Sequence, residues 1–140
     1  MAGSRRVRAA ARRAISMHIG NPPIATALKE EVTDGFVVGG GPSSVMHWAR
    51  LCEQVNMPFW IQQVGTEWTT MLAAHIGAVC SHAQWPAVTS MNMFTECLVT
   101  EPIKITEGHY RVSDIPGLGI EFNEESMKSR WGVQKSSSKH

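Results

Sequence analysis

The sequence predicts an α/β fold in which parallel strands alternate with helices and a β-hairpin follows them. Short apolar runs without alternation, typical of strands buried on both faces, are separated by amphipathic helical patterns. Helices between successive strands imply crossover connections and therefore parallel strands. Near the end, apolar and polar residues alternate on both sides of Glu107-Gly108, which is typical of half-buried hairpin strands.

Composition limits the size and class of the protein. The chain has 140 residues, of which 43% are apolar, enough for one domain. Its net charge of +1 gives no general argument for nucleic-acid binding, and no apolar run approaches the roughly 20 residues of a membrane span. Cys52, Cys80 and Cys97 are odd in number and widely spaced, which favours buried free thiols in the cytoplasm over a disulfide or metal framework.

The first 13 residues carry five arginines and no acid. Such a segment is either a basic helix or a mitochondrial leader, and a start codon inside a longer reading frame is a further alternative. We favour an exposed basic helix over residues 1–13, because the strand pattern follows it without a linker.

Strands and helices then alternate from 14 to 97. Strands are predicted at 14–19, 34–38 and 58–62, and helices at 24–32, 44–56 and 66–83. Prolines and glycines punctuate these elements, notably Pro22-Pro23 and the Gly39–Gly41 loop.

The C-terminal region is predicted to be a hairpin and turn over 98–127. Ile103 and Ile105 form one arm and Tyr110 and Val112 the other, and the Pro116-Gly117-Leu118-Gly119 turn follows. Residues 128–140 are predicted to be a disordered tail, since their end is low in complexity.

Several motifs together resemble a known family. Gly40-Gly41-Pro42, then Asn56-Met57-Pro58, then Thr66 through Ala73-Ala74-His75 occur in order, each separated by a predicted helix or strand. Glu101-Pro102, Gly108, Val112 and the Pro-Gly-Leu-Gly turn close the series. Over roughly residues 14–127, the chain resembles the C-terminal part of the mandelate racemase/muconate lactonizing enzymes of the enolase superfamily.

The resemblance implies a fold and a chemistry. The fold is the C-terminal portion of a TIM-type (β/α) barrel, with its last three strands and helices in 14–97 and a closing segment in 98–127. The chemistry is abstraction of the proton next to a substrate carboxylate, with Mg²⁺ held by carboxylates at three strand ends. The substrate would be a hydroxy acid or acid sugar. The lysine base and two of the metal carboxylates would precede Met1.

Candidate site residues lie where the predicted strands end, since ligands bind at the carboxyl edge of parallel sheets. His18 ends the first strand and is a weak metal-ligand candidate; the alternative is a histidine hydrogen-bonded at a strand end. Gly39 and Gly40 are substrate-binding candidates through their backbone N–H groups, and a close-packed turn is the alternative. Asp34 begins its strand, at the wrong end for catalysis.

The third strand ends in the second group of candidates. Gln62 and Gln63 stand where the resemblance implies a histidine base, but glutamine exchanges hydrogen bonds and takes no proton near neutral pH. Glu67 is the nearest ionisable residue, in the first turn of a helix that favours a carboxylate in any case. Gly65 and Thr66 are candidate substrate contacts.

Other conspicuous side chains favour packing roles. His75 and His82 lie seven residues apart and could suggest a metal pair, but we favour packing. Trp60, Trp68 and Trp85 are interpreted as core residues or as a substrate wall, with core preferred.

Two functional hypotheses remain. In the first, the chain is a fragment of an acid-sugar dehydratase, racemase or cycloisomerase and is inactive alone. In the second, it is a non-catalytic truncated gene product, or a partner subunit that completes a barrel or an oligomer, because unpaired strand edges favour association.

Overall fold

The structure, a computed structural model, describes residues 2–131. In chain order its elements are α1 (Ala2–Ala10), β1 (Ser16–His18), α2 (Ile24–Lys29), β2 (Gly35–Gly39), α3 (Pro42–Gln54), β3 (Phe59–Gln62), α4 (Glu67–Val79), a 3-10 turn (Met91–Met93) and α5 (Glu124–Trp131). Of the expected tail over 128–140, residues 128–131 belong to α5 and the rest lies outside the described residues.

The three strands form one parallel sheet in the order β1-β2-β3, as predicted. Val37 is paired with His18 on one side and with Trp60 on the other, which fixes the register. A further parallel bridge joins Gln62 to Val88. The sheet therefore has a fourth strand position, one residue pair long, that the sequence analysis missed.

One face of the sheet carries the core. Alternate side chains of β2 and β3 point to the same face, and those in the core are Phe36, Val38, Phe59 and Ile61, none more than 1% exposed. They pack with buried residues of the following helices: Val45, Ala49, Cys52, Ala73 and Ile76. Truncating such a phenylalanine to alanine typically costs about 3–5 kcal/mol.

The helix boundaries follow local chemistry. α3 begins with Pro42 directly after Gly41, a position where the missing N–H is no loss. α4 ends at Val79, four residues before the predicted end at 83, because Cys80 adopts an extended backbone (φ −98°, ψ 113°). The chain then returns to the sheet, where Phe59 N donates to His82 O at 2.8 Å.

α1 lies at the amino end of the sheet and is held by charge. Arg5 Nη2 is 3.1 Å from Glu31 Oε2, and Arg8 Nη2 is 2.7 Å from Asp34 Oδ1. No residue of α1 is buried. Ionic contacts rather than an apolar face therefore attach this helix to the rest of the chain. Its lack of buried residues is what an exposed basic helix would show.

The C-terminal segment differs from the predicted hairpin. Glu107 and Gly108 form the turn, both with positive φ (51° and 77°), as a type I′ turn requires. Thr106 and His109 exchange two backbone hydrogen bonds of 2.9 Å, but this pair is an isolated bridge. The prediction of a β-strand on each side of this turn is therefore wrong. Ile105 is 51% exposed, so the arms lack a buried face to hold a longer ladder.

A different antiparallel pair organises this region. Val99 is bridged to Phe122, with Thr100 N donating to Glu121 O and Asn123 N donating to Leu98 O, both at 2.9 Å. Leu98 and Val99 are buried. The two ends of the segment thus meet next to α4. Among residues 2–131, no helix is both long and apolar enough to cross a membrane.

Candidate functional site

Three strand ends meet at the carboxyl edge of the sheet. His18, Gly39 and Gln62 are the last residues of β1, β2 and β3. Val37 is paired with His18 and with Trp60, so the side chains of these three residues point to one face of the sheet, opposite the core. Gly39 follows Val37 by two residues and Gln62 follows Trp60 by two, so both belong to the same face. The structure therefore brings together three predicted site residues on one surface, where His18 is exposed and Gln62 half-buried.

The ends of β2 and β3 approach closely because of two glycines. A Cβ at Gly39 would lie 2.7 Å from Gln62 O, and Gly40 has a φ of +101° that L side chains rarely adopt. Gln63, only 8% exposed, donates from Nε2 to Gly40 O at 2.5 Å. The Gly39-Gly40 loop is thus the close-packed turn that the sequence analysis held as an alternative. Its role in substrate binding stays a prediction.

Two helices start at this same edge. Gly41 precedes α3 and Thr66 precedes α4, and neither makes a side-chain capping hydrogen bond. Thr66 contributes its carbonyl instead, which accepts hydrogen bonds from Thr69 Oγ1 and Thr70 Oγ1 at 2.9 and 3.2 Å. The first N–H groups of a helix have no partner within the helix and attract anions. The edge consequently offers backbone donors beside the Gln62 amide.

Gly65 and Thr66 lie in a short connection that is anchored to the fourth strand position. Gly65 N donates to Thr89 O at 3.0 Å, and Gln63 N donates to Val88 O at 2.9 Å. A Cβ at Gly65 would lie 2.6 Å from Thr69 Oγ1. Val88 and Thr89 therefore hold the connection from Gln63 to Gly65 in place through backbone hydrogen bonds. Their two β-branched side chains, between Pro86 and Ser90, are the sequence signal that could have predicted them.

Glu67 is directed toward the C-terminal segment. Its side chain is buried (6% exposed), and Oε2 accepts a hydrogen bond from Leu98 N at 3.4 Å. Trp68, the next residue, stacks on Phe122 with ring centroids 5.6 Å apart. The structure thus joins the first turn of α4 to the C-terminal segment. The catalytic role of Glu67 stays a prediction, and the contact seen is with the backbone of Leu98.

Asp34 lies at the opposite end of the sheet, as the sequence analysis expected. Arg8 Nε donates to Asp34 Oδ1, and Ile15 N donates to Oδ2, each at 2.9 Å. The hydrogen bond from Arg8, followed by that from Ile15, lowers the pKa of Asp34 from its ordinary value of 3.8. The carboxylate therefore anchors α1 and the start of β1.

The donor set at the strand ends does not fit Mg²⁺. This ion prefers oxygen ligands, especially carboxylates, in octahedral geometry. The strand ends supply an imidazole, a glycine and an amide. Within the described part of the chain, no group of three or more His, Cys, Asp or Glu side chains could hold a metal ion. No chemical step of this chain is therefore assigned to a metal ion.

The two helical-region histidines have separate structural partners. His75 Nε2 lies 3.3 Å from Leu118 O in the Pro-Gly-Leu-Gly turn. His82 lies beyond α4, with Nε2 3.1 Å from Asn56 Oδ1. Each ring therefore has a protein partner, and the packing interpretation stays a prediction.

The tryptophans and cysteines also have structural roles. Trp60 lies on the face opposite the core, where its Nε1 donates to Ser16 Oγ at 2.9 Å, and Trp68 is 51% exposed, so the preferred core interpretation is wrong for both. The ring of Trp85 lies against Gly35. All three cysteines are free, but only Cys52 is buried as predicted, whereas Cys80 and Cys97 are partly exposed. Burial raises the pKa of Cys52 to about 11.

Comparison with protein families gives one match. A model described as enolase C-terminal domain-like matches residues 36–126. This range includes β2, β3 and α4 and most of the C-terminal segment. A comparison with curated proteins gives no match.

Solved structures share the fold. An enolase from Mycobacterium smegmatis complexed with tartrate is 16% identical, with a TM-score of 0.77, and the match covers 91% of this chain and 33% of that one. Muconate lactonizing enzyme from Pseudomonas fluorescens complexed with muconolactone is 22% identical, with a TM-score of 0.74, and the match covers 91% of this chain and 37% of that one. A mandelate racemase/muconate lactonizing enzyme-like protein from Rubrobacter xylanophilus is 24% identical, with a TM-score of 0.70, and the match covers 94% of this chain and 36% of that one. The chain spans about a third of the length of these structures.

Proposed function

The chain belongs to the enolase C-terminal domain-like family, and on that premise we propose that it forms the closing part of a TIM-type barrel that acts on small carboxylates. Residues 14–97 supply the last three strands with their helices, and 98–127 supply the closing segment. Three parallel strands in sequential order, extended by the bridge to Val88, support this arrangement. The shared fold over 91% of the chain supports it further.

The proposed task of the chain is to bind the carboxylate end of a substrate. The observation that carries this proposal is the meeting of three strand ends with two helix N-termini that lack side-chain cap hydrogen bonds. Gln62 offers a half-buried amide there, while Gly39, Gly40 and Thr66 bring backbone close to any ligand. Two of the similar structures contain tartrate and muconolactone, which agrees with a small ligand of this class.

The reaction class proposed for a whole enzyme of this kind is abstraction of a proton next to a carboxylate, as in an acid-sugar dehydratase, racemase or cycloisomerase. Gln62 contacts the substrate, while Gln63 holds the Gly40 carbonyl in place beside it. Neither moves a proton, because an amide side chain does not take up or release a proton near neutral pH. The resemblance implies a lysine base on an earlier strand, so we propose that the base comes from another segment and that this chain alone is inactive. A dehydratase tolerates the missing base better than a racemase, which needs one on each face. A cytoplasmic location stays a prediction.

A second candidate function is that of a non-catalytic product or a subunit that completes a barrel with a partner chain. Within residues 2–131, β1 has a strand neighbour on one side only. α1 buries no residue, and Trp60 is only half-buried on the face opposite the core. An open strand edge favours pairing with another chain. Light scattering that finds only monomers over a wide concentration range would weaken this alternative.

The proposed binding edge is tested by titrating the full chain with tartrate while amide NMR shifts are recorded. We expect saturable shifts at Gly40, Gln63 and Thr66, and their loss in Gln62→Ala. Gln54→Ala changes an exposed glutamine at the end of α3 and serves as the matched control. Saturable shifts confined to other regions, or none at millimolar tartrate, would reject the binding role of this edge.

A further inference from the structure

The strand ends place three residues on one face of the sheet, but none of the three has a side chain suited to a hard cation such as Mg²⁺. His18, Gly39 and Gln62 belong to three adjacent strands, so the outer two are about 10 Å apart across the sheet, and His18 lies two residues, about 7 Å, before the level of Gly39 and Gln62. That spacing lets long side chains converge on one ion together with its bound waters. From this geometry we infer that the edge has the shape of a divalent-cation site and lacks the charge to be one.

The neutral side chains at the edge are already committed or unsuited. Gln63 uses its Nε2 on Gly40 O, and that carbonyl thereby loses part of its capacity to ligate. Gly39 has no side chain, and a Cβ there would lie 2.7 Å from Gln62 O. His18 offers a nitrogen, which suits zinc and copper better than magnesium. Among the three strand-end residues, only Gln62 supplies a side-chain oxygen, and the amide oxygen of the neighbouring Gln63 belongs to a side chain that is only 8% exposed.

The acids of the sheet region are engaged at other places. Asp34 is paired with Arg8 at the amino end of the sheet. Glu31 is paired with Arg5, and Glu53 accepts a hydrogen bond from Ser81. Glu67 accepts one from Leu98. Thus these four carboxylates face other partners, and the three strand-end residues themselves carry no negative charge to offset the desolvation of a cation.

The inference does not depend on the proposed carboxylate binding, because neutral hydrogen-bond donors at this edge can bind an anion whether or not a metal ion is present. The inference concerns only the ligands at the three strand-end positions. A paramagnetic cation can detect metal binding there directly, because Mn²⁺ prefers the same carboxylate and water ligands as Mg²⁺ and broadens nearby amide signals.

The experiment titrates the full chain with Mn²⁺ and then with Mg²⁺ as competitor. We expect no saturable broadening localised at Gly39, Gly40 and Gln63 at millimolar metal. Localised broadening that Mg²⁺ reverses, and that His18→Ala or Gln62→Ala removes, would overturn the inference.

A double variant tests the geometric half of the inference. His18→Glu combined with Gln62→Glu adds two carboxylates to the same face, and we expect saturable broadening centred on Gly39 at Mn²⁺ concentrations at least tenfold below those at which the native chain shows none. Circular dichroism and the amide spectrum of the core verify that this variant is folded. Broadening elsewhere, or none in a folded variant, would contradict the claim that the positions share one cation-sized space.

Discussion

The Glu67 carboxylate accepts a hydrogen bond from the Leu98 backbone N–H at 3.4 Å, and this contact joins the carboxyl edge of the sheet to the C-terminal segment. Both residues are buried. Leu98 O in turn accepts from Asn123 N, so one short backbone stretch connects α4 with the residues before α5. The segment after the sheet is therefore attached to α4 partly by a buried polar contact next to the buried side chains of Leu98 and Val99.

Glu67→Ala should lower the free energy of unfolding by about 1–3 kcal/mol, because Leu98 N would remain buried without an acceptor. Glu67→Gln keeps an acceptor and should lose clearly less. Urea unfolding measures both. Glu101→Ala, at an exposed acid of the same segment, is the control and should change stability by no more than about 0.5 kcal/mol. Equal losses for the Gln and Ala variants would show that the hydrogen bond is not what matters.

The Phe122–Trp68 stack should contribute a further increment. Phe122→Leu removes the ring but keeps apolar bulk, so it should destabilise by about 0.5–1.5 kcal/mol through loss of the aromatic pair, and Phe122→Ala should cost more because it also loses that bulk. Trp68 is 51% exposed, so its fluorescence should also shift to the red when Phe122 is removed. Phe94→Ala, at a partly exposed ring elsewhere, provides the comparison. An unchanged emission spectrum in Phe122→Ala would argue against the stack.

The pair formed by Arg8 and Asp34 predicts a pH dependence. The pKa of Asp34 is lower in the folded state than its ordinary value of 3.8. The contact therefore stabilises the fold fully above that value, and the stabilisation is lost as pH falls through the folded pKa. We expect urea midpoints to fall below about pH 4, and Asp34→Asn to reduce this dependence. Asp114→Asn, at an exposed aspartate, should leave the pH profile unchanged.

Gly39→Ala should be destabilising by about 1–3 kcal/mol, since its Cβ would lie 2.7 Å from Gln62 O and would push the ends of β2 and β3 apart. Gly41→Ala is the matched control, because nothing lies within 4 Å of its Cβ and its φ is −67°. That control should cost no more than about 1 kcal/mol, the typical effect of a poor N-cap residue. Similar losses in both variants would contradict the close approach.

The thiols should differ in reactivity. Burial raises the pKa of Cys52 to about 11, and its side chain is 0% exposed, so at pH 8 it is both protonated and inaccessible. We expect alkylation to label Cys97 first, then Cys80, whose pKa burial also raises, and Cys52 only in denaturant. Mass spectrometry of the peptides measures the order. Labelling of Cys52 at the rate of Cys97 in the native chain would contradict the packing of α3.

Much of the sheet could be predicted from sequence, because continuous apolar runs such as the one from Phe36 to Val38 have few alternatives to a buried strand. The Glu107-Gly108 turn could be predicted from its glycine. The hairpin arms could not, since alternation predicts a strand only where one face is buried, and Ile105 remains exposed. The pairing of Val99 with Phe122 joins residues 23 positions apart and leaves no local signal.

Site positions were predictable as strand ends, while their contacts were not. His18, Gly39 and Gln62 lie where the parallel-strand pattern indicated. The orientation of Glu67 depended on Leu98, a residue 31 positions later in the chain, and so required the tertiary structure. The bond from Gln63 to Gly40 depended on the close approach of two loops.

The most direct test of the central claim is proton exchange. The claim is that the chain holds a carboxylate-binding edge without a base. The full chain is incubated with a hydroxy acid in D₂O, with and without Mg²⁺, and deuterium at the carbon next to the carboxylate is measured by NMR. We expect no exchange above the buffer rate under either condition. Exchange that depends on the chain and disappears in Gln62→Ala or Glu67→Gln would contradict the account.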